Sequence, residues 1–203
     1  MNNLNKSNLH LSFYQFGPLI GRYSIPDYIT KELHNRGTKN KVDISPNLAG
    51  HIKNEKGYSN KDREWFLDQT QNIFLNYVNE LQKRISIPSV YKHINLRDLW
   101  INFMKDGEYN PPHNHGGEIS FVVYTSVPKE IISENRDFKG RGCGPGGIQF
   151  LYGEASKHYS SELAFTPETG TMFVFPATLR HYVAPFKSKV IRTSVSGNLY
   201  GQL

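Results

Sequence analysis

The stretch Leu99–Pro128, LWINFMKDGEYNPPHNHGGEISFVVYTSVP, decides how this chain is read. Two apolar runs, LWINFM and ISFVVYTSV, flank a segment rich in Gly, Pro, Asn and charge, which predicts two strands separated by turns. Five further runs follow toward the C-terminus: GIQFLY, LAFTP, GTMFVFP, HYVAPF and VIRTSVSGNLY. Short strands at this spacing, with turn residues between them, predict a barrel or sandwich from about Leu96 onward. Between the second and third runs, Pro128–Gly147 (PKEIISENRDFKGRGCGPGG) is polar and Gly-rich and reads as a long loop, a candidate lid over a substrate.

Upstream the pattern changes. His10–Phe16 reads as a strand broken by Gly17-Pro18, and Ser24-Ile-Pro-Asp offers an N-cap with Pro at an early helical position. Ile29 and Leu33 lie one turn apart and Gly37 is the expected stop, so a short amphipathic helix is predicted. A longer helix is expected from Asn60 to Arg84. There Phe66, Thr70, Ile73, Tyr77 and Leu81 recur at helical spacing, Phe74 and Val78 widen the stripe, and Ser59 with Asp62 resembles a capping box. Its apolar face is expected to pack on a sheet, and it could also serve a homodimer. The whole chain, 1–203, is expected to be one domain, mainly β, with a mostly helical N-terminal extension (1–95) and a β core (96–203).

Composition narrows the function classes. An aromatic share of 13% excludes a disordered chain, and no apolar run is long enough to cross a bilayer. The start, MNNLNKSNLHLSF, lacks the pattern of an export signal, so a cytoplasmic protein without a membrane partner is expected. The single Cys143 allows no intramolecular disulfide, and any metal must be held by His and carboxylate. The net charge of +6 comes from scattered Lys and Arg, with dense spots only at Arg36–Lys41 and Lys187–Lys189. Nucleic acid is therefore not an expected partner.

The chemistry gathers at His113-Asn-His115 and at His181, which follows GTMFVFP. In an extended segment residues i and i+2 share a face, so both imidazoles of the pair can approach one cation. A third donor from a distant strand completes a facial set that leaves positions open for substrate. His10, His34, His51, His93 and His158 lack such a pattern and read as ordinary surface or core residues. Farther along, Arg192 and Ser194 share one strand face, and a guanidinium beside a hydroxyl makes a directional carboxylate receptor. A dicarboxylate with a 2-oxo acid end could chelate the metal and reach Arg192 with its other carboxylate.

These segments, together with GGIQF, FTPETGTMFVFPATLRHYVAP and IRTSVSGN, resemble the 2-oxoglutarate and Fe(II)-dependent oxygenases of the prolyl-hydroxylase-like group found in bacteria and marine phages. The likeness covers about Leu96 to Asn198. It implies a double-stranded β-helix, the jelly roll that cupins share, with Fe(II), 2-oxoglutarate and O2 meeting at its open end. By that likeness His113 and His181 match the proximal and distal iron-binding histidines, and Arg192, assisted by Ser194, matches the grip on the far carboxylate of 2-oxoglutarate. Asn102 and Tyr124 stand where such enzymes place co-substrate hydrogen bonds, although Trp100-x-Asn102 is as readily a packing element. If phage-encoded, the protein would work in the host cytoplasm.

One departure stands out. The superfamily most often has His-x-Asp or His-x-Glu where this chain has His113-Asn114-His115, so the ligand set here carries no charge. His115 is the expected third ligand. Glu118 is the alternative carboxylate, reachable only through a bulge at Gly116-Gly117. The implied reaction is oxidative decarboxylation of 2-oxoglutarate coupled to hydroxylation of an unidentified substrate, peptidyl proline or a small metabolite among the options. Two other readings remain open: a cupin-type metalloenzyme that does not use 2-oxoglutarate, and a non-catalytic jelly-roll binding module. A cupin has no need of Arg192-x-Ser194, and a binding module has no need of three convergent histidines.

Overall fold

The computed structural model describes residues 17–85, 93–140 and 142–202. All seven runs of the C-terminal half form strands, and they sort into two antiparallel sheets. The larger sheet runs β1 (Gly21–Ser24), β8 (Thr171–Pro176), β5 (Ile119–Ser126), β10 (Arg192–Gln202), β3 (His93–Met104), β2 (Glu55–Gly57). The smaller runs β4 (Asn110–His113), β9 (Arg180–Val183), β6 (Ile148–Leu151), β7 (Glu162–Phe165). Facing each other, the two sheets make a double-stranded β-helix.

Strand alternation explains why β5 is apolar almost throughout. Ile119, Phe121 and Val123 point outward into one core, while Val122 and Tyr124 point inward into another shared with Ile148 and Phe150 of the smaller sheet. The outer core is covered by helices α1 (Asp27–Lys39) and α2 (Asn60–Ile85). From α2, Phe66 and Phe74 set their rings 5.4 and 5.2 Å from that of Phe121, so the stripe packs on the sheet as its periodicity predicts. Ser59 caps α2: its Oγ accepts from the Asp62 N–H at 3.2 Å and donates to the Asp62 carboxylate at 2.6 Å.

Several sequence expectations are corrected. The first helix starts at Asp27 after Pro26, with no side-chain cap from Ser24, which instead ends β1. Gly37 does not stop it. The glycine lies inside α1, where a Cβ would fall 2.4 Å from the Tyr58 hydroxyl and 2.5 Å from Ile101 Cδ1; the residue is there for close approach of helix and sheet. Pro128–Gly147 is not wholly loop, because α3 (Lys129–Asp137) occupies its first half, docked by buried Ile131 and by Asn135 Nδ2, which donates to the Pro145 carbonyl at 2.7 Å. The strand expected at His10–Phe16 lies outside the described residues.

Three strands have no counterpart in the sequence reading. β1 and β2 are short and join the larger sheet at its two edges. β4 carries Pro111 and Pro112, which cannot donate to a ladder and are tolerated because β4 is itself an edge strand.

Candidate active site

The smaller sheet brings the histidines together. β4 and β9 pair so that His113 stands directly opposite His181, with ring centroids 4.4 Å apart. His115 follows β4 in extended chain, fixed by its N–H donating to the Ala177 carbonyl at 2.9 Å. Its ring lies 4.9 Å from that of His113 and 5.1 Å from that of His181. One nitrogen from each falls within 4.8 Å of the other two, a spacing that one cation could bridge, and among the described residues no carboxylate or thiol joins this group. Glu118 is exposed; the turn at Gly116-Gly117, with Gly117 at φ +96°, carries it to the surface.

Backbone carbonyls select the tautomer. His113 Nδ1 lies 2.7 Å from the Pro111 carbonyl and His181 Nδ1 lies 2.9 Å from that of Leu179. A carbonyl only accepts, so each Nδ1 carries the hydrogen and each Nε2 keeps its lone pair for a metal. Burial lowers all three imidazole pKa values: His115 to about 4, helped by neighbouring His113, and His181 to about 3, again with His113 adding repulsion, while His113 falls below its usual value despite its carbonyl contact. At neutral pH all three imidazoles are uncharged. Phe150 and Phe175 wall His181, with centroids at 5.9 and 4.9 Å, and the Trp100 ring stands 5.6 Å from that of His115.

Below the histidines the cavity is lined by the inner face of the larger sheet, where Asn102, Tyr124, Arg192 and Ser194 converge. β10 places Ser194 between Asn102 of β3 and Tyr124 of β5 in direct register. Arg192 is 2% exposed, and burial depresses its pKa. Its Nη1 donates to the Gly146 carbonyl and its guanidinium sits 5.3 Å from the Tyr124 ring centroid. No carboxylate pairs with it among the described residues, and its Nε and the Tyr124 hydroxyl are buried without a hydrogen-bond partner. A buried cation flanked by unused donors is a poor way to stabilise a fold and a fitting floor for an anionic ligand.

The structure thus brings His113, His115, His181, Asn102, Tyr124, Arg192 and Ser194 to one cavity. Sequence reasoning missed Asn110, whose Oδ1 is buried and unpartnered at the same cavity, and the Gly146 carbonyl. For Asn110 the sole signal was its place just ahead of Pro111-Pro112-His113. Gly146 carried none, because its role depends on how the segment after α3 folds back.

The model of a family described as "Putative 2OG-Fe(II) oxygenase" matches residues 98–198. No curated protein matches the chain's sequence. Among solved structures, the viral collagen prolyl hydroxylase of Paramecium Bursaria Chlorella virus-1, in complex with 2-oxoglutarate, superposes with a TM-score of 0.58 at 15% identity, covering 89% of this chain and 94% of that one. The prolyl-4-hydroxylase of Pseudomonas putida gives 0.57 at 12% identity, covering 91% and 93%. HygX of Streptomyces hygroscopicus, with nickel, 2-oxoglutarate and hygromycin B bound, gives 0.59 at 7% identity, covering 92% and 84%. At these identities the likeness is one of fold.

Proposed function

Since the chain belongs to the 2-oxoglutarate and Fe(II)-dependent oxygenase family by its match over residues 98–198, we propose that His113, His115 and His181 hold the iron and that Arg192, Ser194, Tyr124 and Asn102 hold 2-oxoglutarate for hydroxylation of a peptide or small-molecule substrate. The observation that carries this reading is the pairing of two features in one cavity: three neutral imidazoles with convergent donors, and a buried arginine at its floor that has no counter-ion among the described residues. The residues present suit 2-oxoglutarate, because the unpartnered Arg192 Nε and Tyr124 hydroxyl are what a carboxylate would satisfy.

Bound Fe(II) would supply O2 activation coupled to oxidative decarboxylation of 2-oxoglutarate. The chain's own part is placement and exclusion. Pro111 and Leu179 carbonyls orient two imidazoles, Trp100, Phe150 and Phe175 keep water from the ring cluster, and Arg192 fixes the far end of the dicarboxylate. Neutral ligands leave the metal's charge to be balanced by the co-substrate. Peptidyl proline is one substrate class and a small metabolite another; the structurally similar proteins include a collagen prolyl hydroxylase and HygX with hygromycin B bound.

The reading is tested by incubating iron-loaded protein with 2-oxoglutarate and O2 and measuring succinate, first without and then with candidate peptides and metabolites. Slow succinate formation that depends on both Fe(II) and 2-oxoglutarate, and stops in His181→Ala, is expected. Succinate formation that survives His181→Ala would contradict the ligand assignment.

A further inference from the structure

Glu55 is a buried acid that the reading above leaves unused. It is 1% exposed and sits on edge strand β2, where it is paired in register with Asn102 of β3. The ladder fixes how close the two side chains come. Phe103 N–H donates to the Asn54 carbonyl and Tyr58 N–H to the Leu99 carbonyl, each at 3.0 Å. By alternation, Glu55 and Asn102 form the intervening non-hydrogen-bonded pair, whose side chains share a face and lie closest. Glu55 Oε2 and Asn102 Oδ1 are both buried acceptors without a hydrogen-bond partner among the described residues. Two such acceptors on directly opposed residues are satisfied together by one proton.

The other end of the amide is spoken for. Asn102 Nδ2 donates to the Ser194 carbonyl, to Ser194 Oγ and to Ser196 Oγ, each at 3.4 Å. The Ser194 carbonyl can only accept, which fixes the amide with its oxygen turned away from β10 and toward β2.

We propose that Glu55 is a positioning residue which, as the neutral acid, donates its O–H to Asn102 Oδ1 and so polarises a one-way chain, Glu55 to Asn102 to Ser194, that leaves the Ser194 hydroxyl proton free for the carboxylate held by Arg192. The last link rests on the co-substrate reading above. Every donor in the chain points toward the anion site, and each bond strengthens the next. Ionised Glu55 reverses it: the amide turns its NH2 toward Glu55, Ser194 donates back to the amide oxygen, and a donor is lost from the cavity.

The surroundings hold Glu55 neutral. Burial, with the carboxylates of Glu108 and Asp43, pushes its pKa up to about 8. Glu108, in the turn after β3, is itself held by the Lys53 and Lys105 backbone N–H groups, and those two lysine side chains stay exposed. From the segment before β2, the Ser45 hydroxyl oxygen accepts the Glu55 N–H at 3.1 Å. Lys56 points to the other face of the ladder, over the Phe103 ring.

Nuclear magnetic resonance on the metal-free protein tests the couple directly. In wild type one Glu carboxyl carbon is expected to titrate near pH 8, with the Asn102 side-chain NH2 signals shifting at the same midpoint; both events vanish in Glu55→Gln, whose amide donates at every pH. Titration of Glu55 in the ordinary carboxylate range, or Asn102 signals indifferent to it, would overturn the proposal. The second readout is 2-oxoglutarate affinity of the Fe(II)-loaded protein under anaerobic conditions. The dissociation constant should rise about tenfold between pH 7 and 9.5 in wild type, as for loss of one hydrogen bond to a charged group, and stay level in Glu55→Gln. A pH-independent wild-type affinity would overturn the link to Ser194. Absence of any 2-oxoglutarate binding would overturn the co-substrate assignment together with that link, and would leave the Glu55–Asn102 couple to be judged on the resonance data.

Discussion

At the scale of single residues, Arg192 poses the sharpest conflict between stability and ligand binding. It is buried, its Nε has no hydrogen-bond partner among the described residues, and Tyr124 presents its ring to the guanidinium. Replacing a buried, uncompensated charge with an apolar side chain of similar length is commonly neutral or stabilising. Arg192→Met is therefore expected to unfold in urea at the wild-type midpoint or above it, while its 2-oxoglutarate affinity falls by about 100-fold, the scale for truncating one half of a buried charge pair. A destabilised variant that binds 2-oxoglutarate normally would contradict the assignment. The histidines give a second prediction, of opposite stability sense. Folded, metal-free His181 and His115 have pKa values near 3 and 4 against an ordinary 6.5, so the unfolded chain takes up protons first. Their contribution is complete above pH 6.5 and is lost as pH falls toward 4, on the order of 2 kcal/mol for His181 between pH 7 and 5. Urea midpoints of the metal-free protein should drop over that interval, and drop less in His181→Asn; a midpoint that does not move would show that the imidazoles are not desolvated as the structure places them.

At the scale of elements, periodicity made most of the fold legible and edges made the rest illegible. The α2 stripe recurs at helical spacing and the seven C-terminal runs are short apolar stretches bounded by turn residues, and each formed the element its pattern predicts, although β7 at the sheet edge leaves Leu163 exposed. β1, β2 and β4 have three or four residues each and stand at the ends of their sheets, so they leave no repeat to read. Within Pro128–Gly147 the charge and glycine content concealed α3, which one buried side chain, Ile131, and the Asn135 bonds secure. Gly37 shows how a local rule is overridden by packing. An alanine there gains helix propensity of about 1 kcal/mol, yet its Cβ meets Tyr58 and Ile101 at distances real side chains do not tolerate. Overpacking of this kind costs about 1–3 kcal/mol. Gly37→Ala should therefore melt several degrees below wild type, with the Tyr58 hydroxyl losing its 2.7 Å bond to the Leu33 carbonyl; a higher melting temperature would mean that α1 stands farther from the sheet.

At the scale of the molecule, the larger sheet divides the labour. Its outer face is closed by α1 and α2, and its inner face, with the smaller sheet, encloses the cavity. The histidine cluster was legible because His113 and His115 are two residues apart and His181 opposes His113 across one ladder step, a pairing of distant residues that only their motifs announced. Glu55 was not legible at all, since nothing in EKG marks an acid that will be buried against Asn102. An ion that binds only the folded state stabilises it by about 2.7 kcal/mol at a free concentration 100 times its dissociation constant. Anaerobic Fe(II) should therefore raise the melting temperature with the logarithm of its free concentration once that exceeds the dissociation constant, and a chelator should reverse the rise. No shift with wild type, or an equal shift with His113→Ala, would place iron elsewhere.

The most direct test is an anaerobic titration of the Fe(II)-loaded protein with 2-oxoglutarate, followed by visible absorption, with Arg192→Ala alongside. A weak metal-to-ligand charge-transfer band should grow to one equivalent in wild type and need far more 2-oxoglutarate in the variant. Bound iron that develops no such band would contradict the assignment of this cavity to 2-oxoglutarate chemistry.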